Sequence, residues 1–209
     1  MRVEKGKTRP DIEGLARRGR FRDLIEALRG SNRDTVCSIL DALVGAGEAA
    51  VPALLQALKN EDHRVHMVAS IALEKIGKPA VLPLAKAFRE RDGLVRVKIA
   101  DILANIGDPA IEELIAALRD PDEEVRVLSA LVLGEMRDPR GIDTLLSALS
   151  DGSGNVRAQA AISLGELGDV QAENPLRSLA ESDESPAVRQ VASHALMRIL
   201  EGRKGEGPS

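Results

Sequence analysis

Few side chains in this 209-residue chain stand at spacings that chemistry could use. His63 and His66 are three apart, which on a helix turns two imidazoles toward one metal ion. A metal site needs further ligands, and no Cys or carboxylate trio completes this one. Two exposed polar residues are therefore expected, and no metal. "GKT" at Gly6–Thr8 has the tail of a phosphate loop, but that loop's first Gly would fall on Met1 and no strand precedes it. Cys37 is the one cysteine; it excludes an internal disulfide, fits a reducing compartment, and with no His nearby is expected to be buried or inert filler. No nucleophile–base pair can be assembled, so no catalytic residue is assigned.

The bulk composition narrows the partners. Hydrophobic residues make up 44% and charged residues 30% of the chain, enough to fold. With two Phe and neither Tyr nor Trp, the core must be Leu, Ile, Val and Ala, the filling of packed helices. The net charge of −4 is uneven: residues 1–33 hold ten Lys/Arg against five Asp/Glu, while the remainder holds 19 against 28. A basic end is not the continuous basic face of a nucleic-acid binder, so nucleic acid is not the expected partner. No run of about 18 apolar residues exists to span a membrane. The first residues carry charge without an apolar stretch, unlike a secretory signal, so the expected location is cytoplasmic.

The elements that position these residues repeat. A Val, usually followed by Arg, falls at Val65, Val95, Val125, Val156 and Val188, with Thr35 in the slot of an earlier copy. The intervals of 30 to 32 residues mark a solenoid. Three residues before that slot stand Asn32, Asp62, Asp92, Asp122, Ser153 and Ser185, all side chains that accept from free amides at a helix start. A first helix, A, follows each cap, with apolar slots such as Val95, Ile99, Leu103 and Ile106. It ends at Gly47, Gly77, Gly107 or Gly168; Arg137 breaks that column, so a strained or differently shaped turn is expected there. "DP" at Asp108-Pro109 and Asp138-Pro139 then starts a second helix, B, striped by Ile111, Leu114, Ile115 and Leu118 and by the same residues in other copies. Neither helix buries its apolar face alone, so stacked pairs must supply the core.

The pattern "D-x-x-V-R…A-x-x-L-x-x-I-G-D-P-A…L-x-x-A-L" resembles the short HEAT repeat of the phycobilisome-lyase-like family over roughly residues 9–200. The resemblance implies an all-α, right-handed α-solenoid of helix pairs. It divides into an N-terminal capping pair at 1–31, repeats at 32–60, 61–91, 92–121, 122–152 and 153–184, a capping helix at 185–200, and a disordered tail at 201–209. It also implies a ladder of acid and Arg six residues apart, read as structural: Glu90/Arg96, Asp120/Arg126, Asp151/Arg157 and Asp183/Arg189, with Asn60/His66 degraded. Deoxyhypusine hydroxylase is similar in architecture but holds iron with His-Glu pairs, and none of His63, His66 and His194 is followed by Glu. HEAT-like DNA glycosylases use aromatics and a basic groove, which this chain lacks. The phycobilin lyase subunits share the repeat only in scaffold positions.

The expected function is a non-catalytic scaffold for a protein partner, without a cofactor. The alternative is a lyase- or chaperone-type accessory that handles a chromophore. In the resembling family the B helices line the concave side. The slots left exposed there hold Gln56, Lys86, Glu112, Glu113, Asp143, Thr144, Glu173, Asn174 and Arg177, the expected partner strip. A second set breaks the amphipathic rule on the outer side of helix A: Val68, Ile71, Leu128, Leu131 and Ile162. These are either an interface, possible between copies of the chain, or side chains covered by neighbouring A helices.

Overall fold

The computed structural model describes residues 10–89 and 93–205, with side chains to residue 202. Thirteen α-helices and no strand occur among the described residues, in two compact units, 1–87 and 88–209. Glu90, Asp92 and Gly6–Thr8 lie outside the described residues.

The first unit begins with α1 (Ile12–Arg17) and α2 (Phe21–Glu26), in the span 1–31 where a capping pair is expected. The A helices α3 (Arg33–Gly45) and α5 (His63–Ile76) follow, with the B helices α4 (Val51–Ala57) and α6 (Lys78–Phe88). The second unit holds the A helices α7 (Gly93–Ile106), α9 (Glu123–Met136) and α11 (Gly154–Leu167). Its B helices are α8 (Ile111–Ala117), α10 (Ile142–Ala148) and α12 (Glu173–Ser182), and α13 (Pro186–Gly205) ends it. The fold class is an all-α solenoid of helix pairs. Helix α13 runs past the expected end at 200, because Leu196 and Ile199 anchor it and no Pro interrupts it before 208. Residues 206–209 of the expected tail lie outside the described residues.

The starts form as the caps dictate. Asn32 accepts from Thr35 N–H at 2.9 Å and Asp62 from Arg64 N–H at 2.9 Å. Asp122 caps α9 and Ser153 caps α11 in the same way. Arg137 does take a special shape: it is left-handed at φ 51°, the one described residue other than Gly with positive φ. The Cβ cost is tolerated there because its N–H bonds to Gly134 O at 3.2 Å and closes the helix.

Within each unit the B stripe is the buried centre: Leu54 and Leu84 in the first, Leu114, Leu145 and Leu176 in the second, none above 1% exposed. Burying each contributes roughly 1.5–3 kcal/mol. Leu176, not Pro175, continues the column of Leu145, so α12 is set one residue from the register its last Leu suggests.

The A helices are buried on more than one side: α9, for one, packs on α8, the B helix before it, and lies between α7 and α11. That second contact is tightest where small residues allow it. A Cβ added at Gly134 would stand 2.5–2.9 Å from Ser163 of α11, and one at Gly165 would stand 2.8 Å from Ala195 of α13. Ser163 Oγ donates to Ala130 O at 2.8 Å across the same seam.

Candidate functional site

The acid–Arg pairs form a ladder of different connectivity from the one the spacing suggests. Each Arg donates Nη1 to the backbone carbonyl of the acid six residues back: Arg126 to Asp120 O at 2.8 Å, Arg157 to Asp151 O at 2.7 Å, Arg189 to Asp183 O at 2.5 Å. Its ion pair reaches the acid of the next rung, in the turn that leads into the following repeat. Arg126 holds both oxygens of Asp151 at 2.9 and 3.0 Å, and Arg157 holds both of Asp183 at 2.7 and 3.1 Å. Each Asp also closes its own turn, accepting from the amide two residues on: Asp122, Ser153 and Ser185 N–H. A planar fork on a carboxylate fixes the helix start and the following turn in orientation as well as distance.

Arg96 is a variant rung and is fully buried. Its Nε donates to Phe88 O at 3.0 Å, its Nη2 to Asp122 at 3.0 Å, and its Nη1 to Glu124. Arg89 takes Asp120 at 2.9 Å instead.

The charges respond to these contacts. Hydrogen bonds from Arg157 hold the Asp183 carboxyl below the usual range. Burial pushes Asp151 up, but hydrogen bonds from Arg126 and the Ser153 amide outweigh it and leave a net lowering. These acids are thus committed anions inside ion pairs, not proton carriers, so the ladder is structural.

The expected partner strip faces solvent. In the first unit Gln56 and Lys86 are exposed. In the second, Glu112, Asp143, Asn174 and Arg177 are exposed, while Glu113, Thr144 and Glu173 are half-buried, with Glu173 paired to Arg177 at 3.2 Å. The stripe behind them pins the register: Glu112 and Asp143 each follow a buried Ile, Ile111 and Ile142, at the start of a B helix.

Between the turn that follows α8 and helix α10 lies an open groove of about 380 Å³, bounded by Arg119, Thr144, Ser147 and the Arg126–Asp151 rung. Arg119 and Ser147 were not expected in the site. Ser147 stands in the same slot as Gln56 and Lys86, two before the last stripe residue, so the signal was present. The groove offers hydroxyls and a charged rim, which can bind a peptide by hydrogen bonds but hold no nucleophile–base pair.

The outer set divides. Val68 is core, 2% exposed, and Ile71, Leu128 and Leu131 are half-buried, the last two on α9, which has A-helix neighbours on both sides. Ile162 alone is exposed, at the floor of a groove between α9 and α11 with Val127 and Ala158.

Two further expectations can be placed. Cys37 is exposed on α3 rather than buried, because its slot lies off the stripe of Thr35, Ile39 and Leu43. His63 Nδ1 and His66 Nε2 stand 3.1 Å apart, with His66 Nδ1 3.3 Å from Asn60 O, and both imidazoles are accounted for by these bonds. Among the described residues, no group of three or more His, Cys, Asp or Glu is placed to hold a metal ion.

The HEAT-repeat family model matches residues 21–92, 81–153 and 142–206. The complex of CpcE and CpcF of phycocyanin lyase from Nostoc sp. PCC7120 is similar at 26% identity and TM-score 0.54, covering 70% of this chain and 98% of that one. Human deoxyhypusine hydroxylase, in complex with glycerol, is similar at 18% identity and TM-score 0.48, covering 91% and 96%. An archaeal HEAT-like repeats protein from Thermococcus onnurineus NA1 follows at 15% and 0.45, covering 95% and 99%. No curated protein sequence matches the chain.

Proposed function

Because the chain belongs to the HEAT-repeat family, we propose that it is a non-catalytic scaffold that holds a protein partner on the B-helix strip of its second unit. One observation carries this reading. Successive B helices present Glu112 and Asp143 to solvent, with Glu113 and Thr144 half-buried beside them and Thr144 lining the groove, while the stripe directly behind them is almost wholly buried. A rigid backing with a varied polar front suits recognition, since preorganised side chains bind at low ordering cost. The strip's negative charge calls for a partner with basic groups at matching spacing. Reversing Glu112, Glu113 and Asp143 to Lys together is expected to abolish partner capture by the full chain, with its circular dichroism and melting unchanged. Capture equal to wild type would overturn the reading.

A second reading rests on the similarity to the CpcE–CpcF complex: an accessory that handles a chromophore alongside a second chain. It predicts visible absorbance in protein purified from its own host, and colourless protein with an intact partner counts against it.

A further inference from the structure

Helix α6 bears an exposed face that no other described helix repeats. Leu82 is 67% exposed, and the exposed Lys78 and Lys86 stand four residues to either side of it, on one side of the helix. In the second unit the slot of Leu82 holds Glu112 and Asp143. The groove between α9 and α11 is the complement of this face. Its volume is about 560 Å³, and its floor is Val127, Ala158 and Ile162, the last 38% exposed. We propose that the groove receives α6 of a second copy of this chain, with Leu82 seated on Ala158 and Ile162 and the two Lys on acids at the groove's ends.

The ends of the groove supply those acids. At one, Glu123 of α9 accepts from Asn155 Nδ2 of α11 at 2.8 Å. Asp122 and Glu124 stand beside it and share the single guanidinium of Arg96, so that end keeps two carboxylates in excess. Hydrogen bonds from Asn155 and Ser153 hold the Glu123 carboxyl below its usual range, so it is charged at neutral pH. At the other end Glu166 stands one turn beyond Ile162 on α11, half-buried, and meets Arg198 at a loose 3.5 Å.

The spacings on the two surfaces agree. Lys78 and Lys86 are eight residues apart, about 12 Å along their helix, and Asn155, which holds Glu123, is eleven from Glu166, about 16 Å. The difference of about 2 Å at each end lies within the reach of a Lys side chain. A helix is also what this groove can take, because α9 and α11 satisfy their own backbone groups and present no edge for a strand. Charge selects α6 as that helix: among the described helices it alone sets an exposed aliphatic side chain between two Lys. The contact joins unlike surfaces, so copies associate head-to-tail. It uses neither Glu112 nor Asp143, so it stands or falls apart from the B-helix strip of the second unit.

Sedimentation equilibrium of the full chain, carried up to about 1 mM to cover weak contacts of this size, tests the proposal. The wild-type mass is expected to rise above the 22.3 kDa of one chain as concentration increases. Leu82→Glu and Ile162→Gln, each checked for folding by circular dichroism, should stay at one chain. An equimolar mixture of these two variants should return to the mass of a pair, because one keeps the groove and the other keeps Leu82. Lys78→Gln combined with Lys86→Gln should weaken association about fivefold. A wild-type chain that stays at one mass throughout would overturn the proposal, since the groove would then hold another protein or nothing. So would unchanged association in either single variant, or a mixture no heavier than its parts.

Discussion

The turn at residues 60–62 in the first unit and the turns at 120–122, 151–153 and 183–185 in the second close alike. Asn60 Oδ1 accepts from Asp62 N–H at 2.9 Å, just as Asp151 and Asp183 accept from Ser153 and Ser185 N–H at 2.8 Å. In both units the residue after the repeat's Val reaches back to the turn's carbonyl, His66 in one and Arg126 or Arg157 in the other. There the likeness ends. A carboxylate has a second oxygen and a charge for the Arg of the rung before it, whereas Asn60 has neither to offer a guanidinium, and the rung before it holds Val36 in place of that Arg. Closing a turn and fastening two repeats are thus separate tasks. An amide oxygen does the first, and only the anion does both.

The largest expected effect comes from breaking a complete rung. Arg157 and Asp183 have side chains 9% and 4% exposed, so Arg157→Ala leaves a nearly buried carboxylate unpaired. It should cost about 3 kcal/mol in urea unfolding. The same truncation at His66, half-buried and held by bonds of 3.1 and 3.3 Å, should cost no more than about 0.5 kcal/mol. Equal losses at the two sites would dissolve the distinction between the turns.

A smaller effect separates the units at the A-helix seam. Gly134→Ala puts a methyl within 2.5–2.9 Å of Ser163, backbone included, and should cost about 2 kcal/mol, partly restored by Ser163→Gly. The first unit holds Glu74 in the corresponding slot, so its A helices cannot depend on such an approach. A melting point unchanged by Gly134→Ala would show that the seam relaxes freely.

Much of this architecture was legible because it is local. Asn32, Asp62, Asp122 and Ser153 act within three residues of where they stand, and a 30-residue period repeated that signal until chance was excluded. The B stripe was legible because one face of a short helix carries it. What the spacing hid depends on contacts between copies. A distance of six residues brings Arg157 to the carbonyl of Asp151, but its ion pair lies 26 residues ahead, set by the stacking of neighbours and by no local rule. Leu128 and Leu131 looked exposed on a wheel drawn for one helix, and are half-covered because α9 has neighbours on both sides. The partner strip was found as a set of slots, but its groove was not, since Arg119 and Thr144 meet only when α8 and α10 lie side by side.

The central claim is that each Arg fastens the start of its own repeat to the turn that leads into the following one. Two double-mutant cycles on Arg157 test it most directly, one with Asp183→Ala and one with Asp151→Ala, each read by urea unfolding. A coupling of about 2 kcal/mol with Asp183 and no more than about 0.5 kcal/mol with Asp151 is expected, because Asp151 offers Arg157 only a backbone carbonyl that the substitution preserves. Stronger coupling to Asp151 than to Asp183 would contradict the account.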